Sequence, residues 1–143
     1  MALANAIVFH GAVPAARVIE VRTMPLPSRI LSYGLAVVVE ELVLRLACMT
    51  ALVALFVVAA GRRSDLCYYL AIAVVAFVAY PLWSHRYFAG LQWSALTAAR
   101  ELALHFSATA LWGWLYWRHG WLAAVTAHGA AHLTLEPLMG VLV

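Results

Sequence analysis

Two adjacent carboxylates and an arginine interrupt an otherwise apolar run, VVVEELVLRLACM, at residues 37–49. At about 100° per helical residue, Glu41 and Arg45 project about 40° apart, which is ion-pair spacing, whereas Glu40 points about 140° away from Arg45. Glu41 is therefore neutralised locally, and Glu40 is left as a carboxylate free to act as a general base. On the last apolar run, HGAAHLTLE places His128, His132 and Glu136 at i, i+4 and i+8, one above another on one helix face. Paired imidazoles at that spacing can ligate a metal ion or line a polar site. A third imidazole can come from His85, at the end of one apolar run, or from His105, inside another.

The elements that carry these groups follow from composition. The chain has 143 residues, 66% of them hydrophobic and only 10% charged, with a mean hydropathy of +0.93. Soluble domains are about half apolar and about a quarter charged, so the expectation is an integral membrane protein. The net charge of +3 comes from arginines near the ends of apolar runs, which read as membrane-edge anchors and not as a nucleic-acid surface. Cys48 and Cys67 are isolated, giving neither a disulfide framework nor a zinc knuckle.

Four apolar segments are expected to span the membrane, at about 30–60, 66–83, 93–117 and 121–143, separated by GRRSD, SHR and RHG. Connections this short force antiparallel neighbours, so the expected fold is all-α: a bundle of about four transmembrane helices. Residues 1–29 are expected to form an N-terminal interfacial arm, with 30–143 as the functional core. With a rise of about 1.5 Å per residue, Glu40 lies about 15 Å along its helix, and His128 about 12 Å from the opposite face of an apolar layer about 30 Å thick. Both reach mid-membrane, where an ionisable group costs roughly 2.5–3.5 kcal/mol and needs a reason to be there. Depth alone favours His105 as the third imidazole.

The combination resembles the CPBP family of intramembrane proteases, named for CAAX prenyl proteases and bacteriocin-processing enzymes. EELVLR matches its EExxxR motif with Glu40, Glu41 and Arg45, and GWLYWRHGWLAAVTAHGAAH, residues 113–132, is similar to its final motif, with His128 in the histidine position. The likeness covers about residues 31–135. Chain order puts His85, in PLWSH, at the histidine of the family's F/YxxxH motif, with Pro81 where the family has an aromatic and a bend there carrying His85 inward. His132 stands where the family has Asn or Asp. The resemblance implies peptide hydrolysis by a glutamate-activated water: Glu40 and His85 hold and deprotonate the water, while His128 and His132 stabilise the oxyanion. It implies no resident cofactor. It further implies membrane-anchored or lipidated protein substrates, including C-terminal processing or sorting, and a multi-pass protein of the bacterial cytoplasmic membrane, alone or in a homo- or hetero-oligomer.

Three other readings fit the same residues. A divalent metal held by the carboxylates and histidines would make the protein a metal-dependent protease. Histidines on facing helices would suit a haem-binding bundle, which a Soret band reveals. A non-catalytic scaffold or immunity protein would keep the motifs for packing alone. The remaining residues read as structural: Trp112, Trp114 and Trp117 as lipid-facing or interfacial bulk, Arg100 with Glu101 as a surface pair, and Cys48 as a small packing residue.

Overall fold

A computed structural model describes residues 7–142, excepting the side chains of His10 and Leu142; the first six residues of the expected arm and Val143 lie outside the described residues. The fold is all-α, 88% helical, with no strand among the described residues. A 3-10 turn at His10–Ala12 leads into α1, Ala15–Thr23. Then come α2, Leu26–Ala60, and α3, Asp65–Trp83. A short helix, α4, His85–Ala89, connects to α5, 95–119, and α6 is Trp121–Leu142.

Local chemistry sets the boundaries. Pro25 caps α2 in an extended conformation, and Pro27 sits in its first turn, where the missing N–H has no intrahelical partner to lose. The helix therefore starts at Leu26, before the apolar run at residue 30. Gly61, at φ 65°, ends α2 in the left-handed conformation, and Gly120, at φ 86°, separates α5 from α6. Ser94 caps α5 by accepting from Thr97 N–H at 3.1 Å.

The four long helices pack as a bundle in which α2 lies along α6, α6 along α5, and α3 against both α2 and α5; α1 rests on α6. A core of Leu44, Met49, Ala71, Ile72, Val75 and Tyr80 joins α2 to α3. At Gly113 on α5 a Cβ atom would come within 3.2 Å of Ile72, so the absent side chain lets α5 approach α3. Each of the four apolar segments coincides with a helix. Two of these, α2 and α3, are long and apolar enough to cross a membrane, with mean hydropathies of 2.5 and 1.9 over their most apolar windows. Only 17% of the α2 window and 33% of the α3 window is buried, so most of this apolar surface faces outward.

Three of the helices contain a π-helical stretch: Leu42–Met49 in α2, Val75–Ala79 in α3 and Leu102–Phe106 in α5. Such wide turns are rare and frequently mark functional sites, because they re-aim the side chains that follow. These three follow Glu41, precede Tyr80 and contain His105.

Candidate active site

A cavity of about 390 Å³ opens between α1, α2, α5 and α6, and Glu40, His105, His128 and His132 all line it. Glu41 and Arg45 do not. Both are fully buried, with Arg45 Nε 3.4 Å from Glu41 Oε2, and Arg45 Nη2 donates to the Thr109 carbonyl of α5 at 3.1 Å. The i, i+4 pair expected from spacing is thus formed, and it ties α2 to α5. Glu40 is half-buried and has no arginine within ion-pair distance among the described residues; His128, Arg45, Glu41 and His105 lie within electrostatic reach of its carboxylate.

Glu41 has a second task. His128 Nδ1 lies 2.9 Å from Glu41 Oε1; facing a carboxylate, which only accepts, Nδ1 is the donor and Nε2 is the nitrogen left for other partners. Rings hold the imidazoles in place along the cavity. Trp112 stacks on His128 at 5.4 Å, His128 lies 5.2 Å from His132, and Tyr33 stacks on His132 at 4.9 Å. At the other wall, His105 Nδ1 sits 2.6 Å from Glu101 Oε2.

His85 stands elsewhere. Ser84 leaves the helical conformation after α3, and His85 opens α4 as an exposed residue, its Nδ1 3.2 Å from the Leu82 carbonyl and its ring outside the cavity lining. The inward placement expected from a bend at Pro81 is not found: α3 runs through Pro81 to Trp83, and the chain leaves the helix only at Ser84.

Two structural readings of the sequence are corrected. Arg100 and Glu101 are not a surface pair: both are buried and ion-paired, and Tyr87 of α4 folds over them, its hydroxyl donating to Glu101 Oε1 at 2.9 Å. Burial, opposed by Arg100, pushes the Tyr87 phenol up to about 12, so it remains a donor at neutral pH. Trp112 is not lipid-facing: it is buried and forms the stack on His128. Sequence reasoning also misses Tyr33 and Tyr80, which line the cavity, and the partners of Glu136, namely Arg17 of α1 and Arg29 of α2. A usable signal exists for Glu101 and His105, whose i, i+4 spacing inside an apolar run is the one that singles out Glu41 and Arg45.

Glu40, Glu41 and His128 each offer a ligand atom within 4.8 Å of one another, close enough to share a cation. The His128 to Glu41 contact already accounts for part of that closeness by a hydrogen bond. Compared with known proteins, the chain matches no family model, no curated protein and no solved structure.

Proposed function

We propose that the protein is a multi-pass membrane endopeptidase of CPBP type, in which α2, α3, α5 and α6 cross the bilayer and Glu40 activates the hydrolytic water. One observation carries the reading: among the described residues Glu40 lines a cavity with three histidines and has no arginine within ion-pair distance, whereas the buried carboxylates Glu41, Glu101 and Glu136 each have one. A membrane-embedded carboxylate without a counter-ion adds nothing to packing and is costly to keep, which favours a chemical role. The outward apolar surfaces of α2 and α3 support placement in lipid.

In this mechanism Glu40 takes a proton from water as the water oxygen attacks the scissile carbonyl carbon. His105 accepts the second water hydrogen in a hydrogen bond, the role that family order assigns to His85. The oxyanion is met by His128, which donates through Nε2 when doubly protonated and charge-balanced by Glu41, and by His132. Glu40 then passes its proton to the amide nitrogen as the C–N bond breaks, releasing a new carboxyl terminus and an amine. Ala36, Val37, Leu104, Ala108 and Leu135 give the cavity apolar walls, which suits an extended segment of a membrane-anchored or lipidated protein. Bacterial cytoplasmic membrane is the proposed location, and the partners are lipid and anchored substrate.

Mass spectrometry of membrane-protein termini, with and without the protein, tests this reading. New C-terminal ends are expected in cells carrying wild-type protein and His85→Ala, and their loss with His105→Ala. Unchanged termini, or loss with His85→Ala and not His105→Ala, would refute the assignment. The second reading, a divalent ion on Glu40, Glu41 and His128, predicts that exhaustive chelation abolishes cleavage and that added Zn²⁺ restores it; the glutamate-water mechanism predicts survival.

A further inference from the structure

Around the cavity one arrangement recurs three times. His128 Nδ1 is 2.9 Å from Glu41, His105 Nδ1 is 2.6 Å from Glu101, and His132 Nδ1 is 3.8 Å from Glu136. All three carboxylates are buried to 1% exposure or less, and each has an arginine behind it: Arg45 for Glu41, Arg100 for Glu101, and Arg17 with Arg29 for Glu136. The contacts grade from close to loose. Glu136 Oε1 is drawn to Arg17 of α1, and His132 stands beyond hydrogen-bond reach of it.

The Glu101 unit is the most crowded: His105 Nδ1 and Glu101 Oε2 stand 2.6 Å apart, bent off the hydrogen-bond line, and neither atom has another hydrogen-bond partner among the described residues. Its two oxygens are divided. Oε1 accepts from Tyr87 and from Arg100, so both donors converge on one atom, while Oε2 faces His105. Tyr87 also accepts from Arg100 Nη1 at 2.9 Å, which closes the cluster and leaves its proton for Glu101. Two lone pairs cannot face each other at 2.6 Å, so the pair holds a proton, and the two donors already on Oε1 favour the carboxylate form of Glu101 and place that proton on Nδ1. The half-buried imidazole then presents Nε2 to the cavity it lines.

We propose that Glu101, backed by Arg100 and Tyr87, is a positioning residue for His105: it keeps Nδ1 protonated and leaves Nε2 as the acceptor available in the cavity. The role given to His105 in hydrolysis rests on the proposed function, but the protonation pattern does not. A neutral imidazole held this way can accept from water, whereas the opposite tautomer would present N–H and repel the water hydrogen.

The division of the two oxygens makes Glu101→Gln a sharp test. Tyr87 and Arg100 both need an acceptor, so the amide carbonyl must occupy the Oε1 position. The amide NH₂ then faces His105 and donates to Nδ1, which drives the ring to the Nε2–H form with almost no change of volume. ¹⁵N NMR of histidine-labelled protein in detergent micelles reads both nitrogens, with His105→Gln identifying the resonances. In the wild type, His105 Nδ1 is expected to be protonated, whether the ring is neutral or charged. In Glu101→Gln, Nδ1 is expected to shift to the unprotonated position. Tyr87→Phe removes one donor from Oε1 and leaves Oε2 in place, so Nδ1 stays protonated.

An unprotonated Nδ1 in the wild type overturns the proposal even if neither variant folds, and so does a Glu101→Gln ring that keeps its Nδ1 proton. A role in packing alone would not exchange the tautomers. Because the readout is a proton position, the absence of any cleavage would count against the proposed function and leave this inference standing.

Discussion

Under the proposed glutamate-water mechanism, Glu40→Gln is expected to lower the rate of peptide cleavage by about 10²–10⁴-fold, the range spanned by removal of a general base, while the folded protein keeps its stability. The two halves of this expectation have separate causes. Gln keeps the shape of the side chain but cannot take a proton from water. Stability is spared because Glu40 has no ion-pair partner to strand among the described residues: it lines the cavity beside His105 and His128 and leaves the Glu41 to Arg45 contact untouched. Turnover with a defined anchored peptide, read beside an unfolding midpoint in the same detergent, checks both. Wild-type turnover in Glu40→Gln would end the glutamate-water mechanism, and equal loss of turnover and stability would make Glu40 a packing residue.

Arg45→Leu has the opposite signature, a loss of stability of about 3–5 kcal/mol, because it leaves the fully buried Glu41 carboxylate without its arginine. The bond from Arg45 to the Thr109 carbonyl disappears as well, loosening α2 from α5. Leucine fills much of the space, so the expected loss is electrostatic rather than a cavity. The double change Glu41→Gln with Arg45→Leu therefore recovers a large part of it, since no charge is then stranded. Denaturant titration of the four proteins of this cycle measures the coupling. Simple additivity of the two single changes would mean that the pair does not act as a unit.

These two expectations separate residues that are neighbours in the chain, and the sequence already contains the basis for separating them. Helical spacing pairs Glu41 with Arg45 and leaves Glu40 alone, and spacing on the last helix puts His128 and His132 on one face. Such statements need only the periodicity of one helix, so they are legible locally. Apolar composition likewise marks the helical segments and the outward faces of α2 and α3.

What spacing along one helix cannot give is the approach of a second helix. The ring that reaches the cavity is His105 and not His85, because α3 ends at Trp83 and turns His85 outward, while α5 carries His105 inward. Arg100 and Glu101 sit near the start of α5 and look like a surface pair until Tyr87 covers them. The π turns add to this, since each changes the rotation per residue and shifts the face on which the following side chains project.

The sequence by itself determined an all-helical chain, the self-neutralising pair Glu41 and Arg45, and the isolation of Glu40, since these depend on composition and on residues within four positions of one another. Only the tertiary structure decided which histidines line the cavity beside Glu40, that Glu41 faces His128, and that Tyr87 covers Arg100 and Glu101, because those contacts are made between helices.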